Sequence, residues 1–170
     1  MKKNYISLAK KSADIQINEL KKVKKIFSNS FVKAIDLILN CRGKVIFAGI
    51  GKSGLIARKI SATFSSVGIP SFFCDPAQAL HGDMGQIEKK DILIIFSYSG
   101  NTSELNNMIK YANRYRIKII GVASKVDSVL LKASDVKLIL PKVKEADITG
   151  MVPTSSTSIT LLLGDCLATT

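Results

Sequence analysis

No apolar run in this sequence approaches the length of a membrane span. Stretches such as Ile92-Leu93-Ile94-Ile95-Phe96 are short, far below the ~20 residues a spanning helix needs. The lysine-rich N-terminus lacks the uninterrupted apolar core of a secretory signal. Cysteine is scarce: Cys41, Cys74 and Cys166 are widely spaced in apolar surroundings. An odd count without metal-ligand spacing reads as reduced, structural thiols in a reducing compartment, so a cytoplasmic location is expected and no metal site is. Negative charge is also in short supply, with 13 acids against 25 Lys and Arg and a net charge of +12. Yet the excess is local. Residues 1–44 hold eleven Lys/Arg against three acids, concentrated in Lys-Lys pairs at 2–3, 10–11, 21–22 and 24–25. That distribution fits the solvated face of an amphipathic helix, or a weak attraction for anionic metabolites. Without aromatic–basic interleaving or a helix-turn-helix pattern, no nucleic-acid partner is expected.

What is present is an ordinary globular balance, 46% hydrophobic and 22% charged, in 170 residues, a length suited to one domain. Residues Ser7 to Phe27 and Phe31 to Leu39 read as helices, forming an N-terminal helical part over about 5–40. From Lys44 the period changes. Lys44–Ala48, Ser71–Cys74, Asp91–Phe96, Ile117–Val122 and Val136–Leu140 are short β-rich runs. Helix-length stretches at Ser53–Ser66, Ser103–Arg114 and Ser128–Ala133 lie between them. Apolar strands alternating with helices predict a five-stranded parallel sheet in a three-layer α/β/α sandwich over 44–170. Ligands of such sheets bind at the carboxyl ends of the strands, which singles out the loops 49–54, 97–102 and 141–157.

Gly49-Ile50-Gly51-Lys52-Ser53-Gly54 fits G-x-G-x-x-G after a strand, with Asp75 about twenty residues on. This is the outline of a dinucleotide fingerprint, but the same glycines serve any anion that needs a helix N-terminus. A P-loop is excluded, since its first glycine would fall at Ile46. Ser97-Tyr98-Ser99-Gly100-Asn101-Thr102 places two hydroxyls, a turn-forming glycine and a threonine at a strand-to-helix junction. Hydroxyls and free N–H groups in that arrangement suit a phosphate; the plain alternative is a helix cap with incidental serines. Pro153-Thr154-Ser155-Ser156-Thr157-Ser158 puts five hydroxyl residues in succession ahead of an apolar helix, more than capping needs.

Taken in order, Gly51-Lys52-Ser53-Gly54, His81-Gly82-Asp83-Met84-Gly85, Ser97-x-Ser-Gly-x-Thr102, Lys144-Glu145-Ala146 and Pro153-Thr154-Ser155-Ser156-Thr157 form a set that resembles the sugar isomerase (SIS) domain, specifically the arabinose 5-phosphate isomerase family. The resemblance runs from about residue 5 to the last. It implies interconversion of D-ribulose 5-phosphate and D-arabinose 5-phosphate, feeding lipopolysaccharide or capsule synthesis, by a homotetramer. Two departures stand out. The family usually has Pro shortly after the Glu-Ala pair, whereas Asp147-Ile148-Thr149-Gly150 follows here. The family also continues into a His-Pro-Gly-Gly segment with a functional His, and often into paired CBS domains, while this sequence ends at Thr170 inside an expected helix. It therefore reads as a truncated chain or a short homologue.

Aldose–ketose isomerisation moves a proton between adjacent carbons through an enediol and requires a base, an electrophile and a phosphate anchor, with no redox cofactor. Ser53, Ser97, Ser99 and Thr102 are the expected phosphate ligands, with Ser156 and Thr157 as additions. The resemblance assigns function to Lys52, Glu104 and Glu145. Lys52 suits a developing negative charge, Glu145 is the preferred base and Glu104 the second candidate. His81, the one histidine, is open between polarising a carbonyl or opening the sugar ring and fixing its loop with Asp83. Two other readings compete: a non-catalytic SIS sugar-phosphate sensor, which would not need Lys52, Glu104 and Glu145 together, and an NAD(P)-binding oxidoreductase resting on Gly49–Gly54 and Asp75.

Overall fold

A computed structural model describes residues 4–170, so the Lys2-Lys3 pair lies outside the described residues. The expected strands are present as β1 (Val45–Gly49), β2 (Ser71–Phe73), β3 (Ile92–Phe96), β4 (Lys118–Ala123) and β5 (Val136–Ile139). All pair in parallel, in the order β2-β1-β3-β4-β5. β1 and β3 are buried along their whole length, which is why they are continuous apolar runs with no polar alternation.

The period-two geometry of a strand divides these runs between two cores. Val45 and Phe47 of β1, with Ile92, Ile94 and Phe96 of β3, point to one face. There they meet Phe31, Ala34 and Ile38 of α2 (Asn29–Leu39), Ala57, Ile60 and Phe64 of α3 (Lys52–Ser66), and Ile159, Leu163 and Leu167 of α7 (Ser155–Thr169). The intervening Ile46, Ala48, Leu93 and Ile95 point the other way, towards α4 (Pro76–Ala79), α5 (Asn106–Tyr115) and α6 (Val129–Ala133). Each fully buried Ile, Leu or Phe on these faces contributes about 1.5–3 kcal/mol by leaving water. The three-layer α/β/α architecture read from the sequence is the one observed.

The first helix departs from expectation. It is α-helical as α1 only over Tyr5–Leu20, and Lys21–Ile26 tightens into a 3-10 turn. In Lys-Lys-Val-Lys-Lys-Ile the two apolar residues are three apart, and three residues per turn puts both Val23 and Ile26 into the core with the lysines outside. The helix expected from Ser103 likewise starts as a 3-10 turn, Ser103–Leu105, before α5. Between β2 and β3 lie two short helical turns not anticipated from sequence, α4 and a 3-10 turn at Asp83–Gln86. Pro76 opens α4 and the Asp75 carboxylate caps it, accepting from the Ala77 N–H at 2.9 Å. Among the described residues no helix is long and apolar enough to cross a membrane. Cys41, Cys74 and Cys166 are free thiols. Burial, then Asp83 and Asp75 nearby, push Cys74 up to about 11, leaving it protonated and unreactive near neutral pH.

Candidate functional site

In the order β2-β1-β3-β4-β5 the winding reverses between β1 and β3. Loops leaving the carboxyl ends of these neighbouring strands diverge to opposite faces of the sheet and leave a crevice between them. A cleft of about 500 Å³ opens there. Its walls come from the start of α3 (Ile50, Lys52, Ser53, Ile56), Tyr98 after β3, a strap after β5 (Val143, Glu145, Gly150, Met151, Pro153) and the first turns of α7 (Ser156, Thr157, Thr160).

The β1–α3 junction is set by close packing. A Cβ on Gly54 would stand 2.6 Å from the Gly49 carbonyl oxygen, so helix and strand approach here only with a glycine. That contact, together with the Asp75 cap on α4, accounts for the parts of the dinucleotide pattern in structural terms. Gly51 precedes α3 without a side-chain cap, so N–H groups of the first turn face outward at the positive end of the helix. Among the described residues Lys52 has no carboxylate within ion-pairing distance, and its ammonium is available to an anionic ligand.

In the same cleft, the carboxylate of Glu145 reaches the N-terminus of α7. Oε2 accepts from the Thr154 N–H at 2.7 Å, the Thr154 hydroxyl at 3.0 Å and the Ser156 N–H at 3.3 Å. Thr154, at the cap position, makes no capping bond of its own; it turns to Glu145 and accepts from the Ala146 N–H at 2.8 Å. Burial by itself pushes the half-buried Glu145 up. Hydrogen bonds from the Ser156 side chain, the Thr154 and Ser156 N–H groups and the Thr154 hydroxyl outweigh it and hold the carboxyl below its ordinary value. Thr157 donates to the Thr154 carbonyl at 2.8 Å. Thr154, Ser156 and Thr157 are thus spent on building the α7 start around the Glu145 carboxylate, while the Ser158 hydroxyl donates to Gln16 and the buried Ser155 hydroxyl has no partner among the described residues.

A group whose folded pKa is depressed stabilises the fold above its unfolded value, near 4.3 for Glu, and that contribution disappears as pH falls through the folded pKa. The stability gap between the wild-type chain and Glu145→Gln should therefore be constant near neutrality and narrow in acid below pH ~4.3. Urea unfolding across that range checks it, and a gap that stays constant would show that the carboxylate charge is not what these donors stabilise.

Loop 97–102 lies beside the cleft, with Tyr98 as the residue that lines it. Ser97 is buried; its Oγ lies 2.9 Å from the Thr102 hydroxyl and accepts from the Gly100 N–H at 3.1 Å. Ser99 Oγ accepts from the Asn101 N–H at 3.3 Å. Among the described residues the N–H groups of Ser99 and Thr102 have no acceptor, an open cradle beside two hydroxyls.

Lys52, Ser53, Glu145, Ser156 and Thr157 thus share one cleft, and Ser97, Ser99 and Thr102 form the adjoining loop. Glu104 and His81 do not join them. Glu104 is exposed in the turn before α5. The hydrogen bond from its own N–H, then one from the Ser103 hydroxyl at 2.8 Å, lower its pKa. His81 is exposed between α4 and the Asp83–Gln86 turn. Neither carboxylate proposed as base carries a raised pKa. Sequence reasoning missed Tyr98, although its position between two candidate phosphate serines was a usable signal. It also missed the apolar wall of Ile50, Ile56 and Val143, which no local pattern marks.

Residues 38–170 match the family model described as SIS domain. The chain is 38% identical over 168 residues to the arabinose 5-phosphate isomerase GutQ of Escherichia coli K12, covering 99% of this chain and 52% of that protein. It is 39% identical over 165 residues to the arabinose 5-phosphate isomerase KdsD of Pseudomonas aeruginosa, covering 97% and 51%. The chain spans about half the length of the curated relatives it matches. Among solved structures, that of the E. coli CFT073 protein c3406 in complex with arabinose 5-phosphate superposes with a TM-score of 0.94 at 34% identity, covering 99% of this chain and 90% of that one.

Proposed function

Since this chain belongs to the SIS domain family, we propose that it is an aldose–ketose isomerase, interconverting D-ribulose 5-phosphate and D-arabinose 5-phosphate through an enediol. The observation that carries this reading is the presence, in one cleft at the sheet's switch point, of a lysine with no ion-pair partner among the described residues and a fixed, ionised carboxylate. Its relatives named arabinose 5-phosphate isomerase and the arabinose 5-phosphate complex of a structural neighbour support the choice of substrate.

The phosphate sits at loop 97–102, taken by the Ser99 and Thr102 N–H groups and by the hydroxyls of Ser97, Ser99 and Thr102, with Ser53 closing from α3. Such a site binds a dianion with hydrogen-bond donors and a helix N-terminus in place of a paired cation. With the phosphate fixed, the other end of a pentose lies over the cleft. Glu145, ionised throughout the neutral range, takes the proton from one carbon of the hydroxycarbonyl pair and returns it to the next. Lys52 stabilises the oxygen that becomes anionic. The reaction is redox-neutral overall, and every step is proton transfer.

The same reading includes a homotetramer in the cytoplasm. α1 buries no residue of its own and exposes Tyr5, Ile6, Leu8 and Ile17, and the strap exposes Ile148 and Met151. Exposed apolar side chains in such number are the material of an interface between copies.

Incubation with ribulose 5-phosphate should yield arabinose 5-phosphate, and absence of product would sink the isomerase. For the anchor, Ser99→Ala and Thr102→Ala should each raise the Kd for arabinose 5-phosphate about 10- to 100-fold, each lost bond to a charged group being worth ~1.5–3 kcal/mol. Calorimetric titration showing wild-type affinity in both would move the phosphate elsewhere.

A further inference from the structure

Tyr98 stands between Ser97 and Ser99 in the loop read as the phosphate anchor, and it lines the cleft. The phenolic oxygen accepts from the Val143 N–H at 3.0 Å and donates to the Pro141 carbonyl at 3.3 Å. Residues 141–146 form neither helix nor strand and carry Glu145. One end of this strap is held where the Leu140 N–H bonds to Ala123 of β4, and the other where Thr154 takes the Ala146 N–H. The two phenol bonds fix the stretch between, ending two residues before Glu145.

The backbone of Tyr98 is held independently. Its carbonyl accepts from the Ser124 N–H at 2.9 Å and the Ser124 hydroxyl at 2.7 Å, and the neighbouring Ser97 N–H donates to Val122 at 3.0 Å. The loop is thus anchored to β4 without the phenol. The ring packs, as Val143 does, against the core that includes Phe47 and Phe96, and phenylalanine would fill that space equally well. Of the Tyr98 side chain only the hydroxyl reaches the strap's backbone, to which Lys22 Nζ also donates, at the Lys142 carbonyl at 3.3 Å. The phenol's geometry connects two parts of the cleft that are 45 residues apart in sequence.

We propose that Tyr98 is a positioning residue that couples occupancy of the phosphate loop to the placement of the Glu145 carboxylate. The proposal rests on the isomerase reading for its kinetic consequence, but the coupling exists whatever reaction the cleft performs. The Tyr98 backbone is already tied to β4, and a phosphate that draws the Ser99 N–H group onto itself further restrains the peptide that follows Tyr98, and through the phenol the strap behind Glu145. A displacement of about 1 Å in a base can cost on the order of a hundredfold in rate.

The test uses the full chain and Tyr98→Phe, which keeps the ring. In the isomerase assay kcat should fall about 10- to 100-fold with KM changed less than about threefold. A purely structural role would instead lower thermal stability and leave kcat of the folded fraction unchanged. Amide hydrogen exchange gives a reading independent of turnover. Arabinose 5-phosphate should slow exchange at both 97–102 and 142–146 in the wild-type chain, but at 97–102 only in Tyr98→Phe. If the wild-type chain shows this paired protection without any isomerase activity, the coupling stands and the isomerase reading fails. Wild-type kcat, or unaltered ligand-induced protection of the strap, in Tyr98→Phe would overturn the coupling.

Discussion

Glu145→Gln is expected to lower kcat for pentose-phosphate isomerisation about 10²- to 10⁴-fold, the usual contribution of a positioned general base. The substitution is nearly isosteric. An amide oxygen can still accept from the Thr154 and Ser156 N–H groups that now hold Oε2, so the strap and the α7 start should keep their places. The charge lost at the helix N-terminus costs only ~0.3–1 kcal/mol. Affinity for arabinose 5-phosphate should change little, since the proposed phosphate contacts lie on loop 97–102. A large loss in kcat with preserved binding is the signature of a group acting on the reacting atoms. Glu104→Gln serves as the comparison: its carboxylate is exposed and outside the cleft. If Glu104→Gln abolishes turnover and Glu145→Gln does not, the assignment of the base is reversed.

Gly100→Ala should be strongly destabilising, because among the described glycines Gly100 alone combines a positive φ with a site already filled by neighbouring atoms. Gly100 has φ +69°, and an added Cβ would stand 2.2 Å from the Ser128 hydroxyl oxygen and 2.5 Å from its Cβ. A left-handed non-glycine residue costs roughly 1–2 kcal/mol, and overpacking a filled site costs typically ~1–3 kcal/mol more. A total of roughly 2–5 kcal/mol lowers Tm by about 5–15 °C in a domain of this size. Relief is hard to find, because Ser128 is buried, accepts from the Leu131 N–H to cap α6, and faces a loop whose Gly100 carbonyl accepts from the Leu130 N–H. The strain would therefore open the turn that aligns Ser99 with Thr102, and sugar-phosphate affinity should fall with stability. Retention of wild-type Tm and of wild-type Kd would show that the loop tolerates a conformation other than the one described.

The α/β/α class was legible because its cause is local. A strand buried on both faces needs an unbroken apolar run, and β1 and β3 have one; an amphipathic helix needs polar residues on its outer face, and α5 alternates accordingly. Loop 97–102 was legible for the same reason, since its hydroxyls, glycine and helix start are adjacent in sequence. The 3-10 turn at Lys21–Ile26 was not, because three-residue and 3.6-residue periods differ little over six residues. Glu145, Lys52 and Ser53 could be named from sequence, as could Glu104 and His81, by residue type and resemblance. Nothing local distinguished the members of the cleft from the two residues that lie outside it.

By itself, then, the sequence determined which segments are strands and helices, and where hydroxyls and glycines cluster at their ends. Each of those properties depends on neighbours within a few residues. Only the tertiary structure decided that β1 and β3 are the neighbouring strands at the switch point, that the strap after β5 returns to the cleft there, and that Glu145 caps α7 in the cleft that Lys52 also lines. The physical reason is that a carboxylate's partners and its pKa depend on which backbone N–H groups it meets. Here those groups lie on a helix that starts ten residues later, while the phenol steadying the strap comes from a strand end 45 residues earlier.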